Sequence, residues 1–105
     1  MDKQFTEQQL TAIVEEAMLY MCACPAQVAE HVRRLRDLYK YQVNCESSTK
    51  TDPKVHQIIA RAAAEAHAIM EACMDEILTL EGWDRETLTM PEGLRKVRDD
   101  LIENG

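Results

Sequence analysis

The sequence predicts an all-α fold: an antiparallel helical hairpin or bundle of three to four helices, with a kink or tight corner at residues 22–25, completed by dimerisation. Three observations carry this expectation. Only three glycines and three prolines occur in 105 residues, too few for the turns of a sandwich or barrel. Apolar side chains recur every three or four residues through three long stretches, the period of one helix face. One clearly polar loop, ESSTKTDP, separates the second stretch from the third. The length suits a single domain over 1–105, short enough for a partner chain to supply part of its core.

The first helix is expected over 6–21. Thr6 and Gln9 have the spacing of a capping box, and Phe5 and Leu10 that of a hydrophobic staple across it. Leu10, Ile13, Val14, Ala17, Tyr20 and Met21 then form its apolar stripe. Between this helix and the next lies MCACPAQV, residues 21–28, which holds no Gly, Asn, Asp or Ser to make a turn. Pro25 removes a backbone donor and disfavours the helical region at Cys24, so a sharp corner and a kinked continuous helix are both compatible with it.

The second helix is expected over 25–45, with Cys24, Val28, His31, Leu35, Leu38, Gln42 and Cys45 spaced by four and three as a narrow seam. After the loop at 46–52, Asp52 and Pro53 read as N-cap and first helical residue of a third helix over 53–81. Its seam is Val55, Ile59, Ala62, Ala66, Ile69, Cys73 and Leu80, widened by Ile58, Met70 and Ile77, with Gly82 as the C-terminal cap. So wide a stripe implies cover from two sides. Alanines at 60, 62, 63, 64, 66, 68 and 72 favour helix and allow a neighbouring backbone to come close. Thr89 and Glu92 offer a second capping box before a short helix over 91–103, with Leu94, Val97 and Leu101 inward.

Charge and composition narrow the function classes. The net charge of −7 disfavours nucleic acid and acidic membranes as partners. The basic run Arg33, Arg34, Arg36 and Lys40 is interleaved with Glu30 and Asp37 and reads as a solvated helix face. No signal pattern or membrane-length apolar run is present, so a cytoplasmic location is expected, where the four cysteines would be reduced.

Sulphur is unevenly distributed. Pairing the second and third helices across the loop puts Cys24 level with Cys73 and His31 level with His67, so that seven of the ten sulphur atoms gather at one end of the bundle. Cys22, Cys24 and Cys73 could supply three thiolates, with Met70 a weaker fourth ligand, to a soft metal such as Cu(I) or Zn or to an Fe–S cluster. The same cysteines would suit thiol-redox chemistry if Pro25 begins a new helix, whose N-terminus stabilises thiolate. Against both stands the ordinary use of Cys and Met as core filler. His31 and His67 read as hydrogen-bonded core or boundary residues, and His56 as solvent-facing.

Glu-x-x-His, H-E-x-x-H, G-x-S-x-G, a phosphate-binding glycine loop and a dinucleotide fingerprint are all missing, and Glu15, Glu16, Glu65, Glu71, Asp75 and Glu76 read as solvated charges. The expected function is a small helical binding or assembly protein with no catalytic role, self-associating to a homodimer or meeting another protein. The soft-metal or thiol-redox site is the alternative.

Overall fold

Thr6 and Gln9 begin the ordered core as their spacing predicts. In the computed structural model, which describes residues 1–19, 23–45 and 52–91, the Thr6 N–H donates to Gln9 Oε1 at 2.8 Å and the Gln9 N–H to Thr6 Oγ1 at 3.1 Å. This reciprocal capping box opens α1, Glu7–Leu19, and the staple residues Phe5 and Leu10 are both buried.

α2 runs Ala23–Cys45 and α3 runs Pro53–Leu80. Helix α2 starts two residues before the expected Pro25, which falls in the first turn, where a missing N–H costs no intrahelical bond. Arg33 donates to Glu7 and to Thr11 Oγ1, so α1 folds back along α2. α1 and α2 are therefore two helices packed side by side, which corrects the alternative of one kinked helix; the expected corner itself falls partly on residues 20–22, outside the described residues.

Asp52 caps α3 as expected, its Oδ1 accepting from the Lys54 N–H at 2.9 Å. At the other end the cap residue is Glu81, and Gly82 follows it in the left-handed region at φ +75°. The Gly82 N–H donates to Thr79 O and the Trp83 N–H to Leu78 O, a Schellman closure that leaves Trp83 and Leu78 together in the core. Beyond it Asp84 Oδ1 accepts from the Glu86 and Thr87 N–H groups, and Thr89 forms an isolated bridge with Asp84. Glu92 and the expected fourth helix over 91–103 lie outside the described residues, apart from Pro91, which is not helical.

The core sits at the end of the hairpin where α1 packs. Leu10, Ile13 and Ala17 of α1 meet Ala26, Ala29 and Val32 of α2, Met74 and Leu78 of α3, and Trp83, Leu88 and Met90 of the following turn. Toward the loop end, buried Gln42, Ala60 and Ala63 close the gap between α2 and α3. No helix among the described residues is long and apolar enough to cross a membrane.

The buried line of α3 is Ala60, Ala63, His67, Glu71, Met74 and Leu78, not the seam that the sequence predicts. Helix α2 likewise buries Ala29, Val32 and Arg36, while Cys24, His31 and Leu38 are exposed. Only parts of the predicted stripes reach the interior: Gln42 is buried and Val28, Met70 and Ile77 pack against the core, while Val55, Ile58, Ile69, His31 and Leu38 lie on the surface. Within one chain the stripe on α3 is covered along one flank and not from two sides.

Candidate functional site

Two arrangements stand out, one apolar and open, one polar and closed. The open one runs along the hairpin. On α3, Val55 is 45% exposed, Ile58 54% and Ile69 68%, and their spacing places them on one ridge with exposed Ala62. On α2, Leu38 is 40% exposed, and it lines a groove with His31, Arg34, Leu35 and, from α3, Met70. The face is formed because α1 covers the Ala29 and Arg36 side of α2 and leaves the His31 and Leu38 side bare. Isolated exposed leucines are ordinary on a protein surface, whereas Val55, Ile58 and Ile69 form an exposed apolar band along about four turns of α3.

The closed arrangement centres on Arg36, which the sequence reading placed on a solvated face and the fold buries. Its Nη1 donates to Glu7 Oε1 at 2.6 Å, its Nη2 to Phe5 O at 2.6 Å and Glu71 Oε2 at 3.0 Å, and its Nε to His67 Nε2 at 2.9 Å. Glu71, also expected in solvent, is buried and accepts from the Gln4 and Phe5 N–H groups at 2.8 and 3.0 Å. A pair of opposite charges thus fastens the N-terminal segment onto both arms of the hairpin. Periodicity hides it, because polar residues on a core line look like breaks in a stripe; the available signal is that Val32 and Arg36, and His67 and Glu71, are each one helical turn apart.

Because Arg36 donates to Nε2, that nitrogen carries the lone pair and the His67 proton sits on Nδ1. Nδ1 is 3.5 Å from Glu71 Oε1 and has no hydrogen-bond partner among the described residues. Burial holds the His67 pKa below its ordinary value; the Glu71 carboxylate opposes this shift and the Arg36 guanidinium adds to it. The Arg36 hydrogen bond holds the Glu7 carboxyl below the usual carboxylate range. Of the other histidines, His31 is exposed and His56 is half-buried, its Nδ1 2.7 Å from Gln42 Oε1.

The predicted sulphur ligands differ in exposure. Cys24 is exposed at the start of α2, Cys73 is half-buried on α3, and Met70 is half-buried against the core, while Cys22 lies outside the described residues. Met18 is exposed and Met74 fully buried. Among the described residues no three His, Cys, Asp or Glu side chains are grouped to hold a metal ion.

No protein-family model, curated protein or solved structure matches the chain.

Proposed function

We propose that this protein is a helical binding and assembly module, without a catalytic role, that pairs with a second copy through the open face of α2 and α3. The observation that supports it is the contrast between the two sides of α3. The buried side holds His67 and Glu71 in a hydrogen-bonded network, whereas the side carrying Val55, Ile58 and Ile69 has exposed apolar groups with none of the described residues over them. Leaving such side chains in water forgoes about 25 cal/mol per Å² of apolar surface, which association recovers.

The size is right for a second copy. A helix of 23 residues is roughly 35 Å long and two adjacent helices about 20 Å wide, giving on the order of 700 Å² per subunit. Stable interfaces bury about 800 Å² per partner.

Sedimentation equilibrium or light scattering tests the reading. The wild-type chain is expected to be dimeric at micromolar concentration, and Ile69→Glu or Ile58→Glu to be monomeric with unchanged helicity, because both side chains are solvent-exposed in the single chain. A wild-type monomer, or a dimer indifferent to both substitutions, overturns it.

A further inference from the structure

We infer that the two copies pair with their two-fold axis running along the helices, so that α2 of each lies on α3 of the other, with Arg34 beside Glu65 of the partner subunit. The inference rests on the self-association reading above and adds the orientation of the pair.

The argument starts from the register of the hairpin. The 2.7 Å contact between Gln42 Oε1 and His56 Nδ1 sets those residues level. Eight residues back along α2 and eight on along α3, Arg34 lies level with Ala64 and Glu65. The two are on opposite margins of the open face. Arg34 lines its groove from α2, one turn from Leu38, and Glu65 stands on α3 one turn before Ile69. Both side chains are exposed, and neither has an ion-pair partner among the described residues. Glu76 extends the acidic margin two turns beyond Ile69.

Two hairpins can stack face to face with two-fold symmetry in two ways. An axis across the helices puts α3 on α3, so that the acidic margin of one copy borders the acidic margin of the other and the two Arg34 margins also meet. An axis along the helices puts α2 on α3 and preserves level, so that Arg34 comes beside the partner's Glu65 at both edges. Like charges at a rim oppose association and opposite charges steer it, so the second stacking is selected. Asp37 and Arg61, also level in the hairpin, sit farther round their helices from the open face.

The experiment is a charge exchange read by sedimentation equilibrium at low salt. Arg34→Glu and Glu65→Arg are each expected to weaken the dimer roughly threefold to tenfold, since each places like charges at two edges. Combining them, R34E with E65R, is expected to restore wild-type affinity within about twofold, and added salt to shrink all three differences. Additive losses in the double variant overturn the orientation, and so does an Arg34→Glu or Glu65→Arg chain that dimerises as tightly as the wild type. In both cases the chain remains a dimer and the self-association reading survives. A wild-type chain that stays monomeric leaves the face to another partner and overturns both.

Discussion

Arg36 brings four of its N–H···acceptor contacts into one buried point, and the energetics of that point differ from those of surface pairs. Removing one partner strands the other's charge out of water, so Arg36→Ala or Glu71→Ala is expected to cost about 3–5 kcal/mol in urea denaturation. The joint change R36M with E71L removes both charges, and its cost is expected to fall well short of the sum of the singles. The Arg33 to Glu7 pair beside it is solvent-exposed, and Arg33→Ala is expected to cost under about 1 kcal/mol.

His67 gives the same network a pH dependence. The unfolded chain takes up the imidazole proton near pH 6.5, while the buried ring, with its pKa lowered, resists protonation to lower pH. The stability this contributes is fully present above the unfolded pKa and is lost as the pH falls through 6.5 toward the lowered folded value. Protonation also ends the bond from Arg36, which needs the lone pair on Nε2. Wild-type unfolding free energy is therefore expected to drop between pH 7.5 and 5.5, and His67→Gln, which keeps an acceptor and cannot titrate, to flatten that drop. A profile unchanged by the substitution would remove His67 as its cause. Glu7, held low by Arg36, acts in the more acidic carboxylate range and does not overlap this window.

At the scale of elements, the helix ends carry the clearest local design. Gly82 at φ +75° takes a conformation that a Cβ disfavours by about 1–2 kcal/mol, and that Cβ would meet Pro91 Cγ only at an ordinary 3.9 Å. Gly82→Ala is thus expected to cost roughly 1 kcal/mol through backbone strain alone, visible as a fall in Tm without loss of helicity. Leu88 also adopts a positive φ, 56°, and is held there with its side chain buried. The Asp84 turn that precedes it is closed by the Glu86 and Thr87 N–H groups, which lower the Asp84 pKa. The Met90 N–H donates to Glu16 Oε1, joining this turn to α1.

These ends were legible because capping is local. Thr6 with Gln9, Asp52 with Pro53, and Gly82 each satisfy a backbone group within a few residues, so the relevant partners are adjacent in the sequence. The helix phases were not. A stripe at three- and four-residue spacing reports that one side of a helix is apolar and says nothing about which neighbour covers it. Val55, Ile58 and Ile69 make such a stripe on α3, yet its core line runs through two polar residues, His67 and Glu71.

At the scale of the molecule, the hairpin is stabilised unequally along its length. Near α1 it has a core shared by three helices and the turn after α3; toward residues 45 and 53 it has two helices and small buried alanines. The proposed pairing links folding to association, because a second copy would cover the thinner end. Tm is expected to rise with protein concentration for the wild type and to be independent of it for Ile69→Glu. A Tm independent of concentration in both would separate stability from self-association. Cys24, exposed, is expected to react with a thiol reagent faster than half-buried Cys45 and Cys73, and bound metal that protected Cys24 and Cys73 together would support the sulphur site.

The sequence by itself determined that the chain is helical, where α1 and α3 begin, where α3 ends, and that α2 and α3 each carry an apolar stripe. These properties follow from short-range rules: composition, helical period and capping chemistry. Only the tertiary structure decided that α1 and α2 are two helices packed side by side, that Arg36, His67 and Glu71 lie inside, and that Val55, Ile58, Ile69, His31 and Leu38 lie outside. The physical reason is that burial of a polar group depends on partners supplied from distant segments, here Phe5 and Glu7 to Arg36 and Glu71. That supply cannot be read from any one helix.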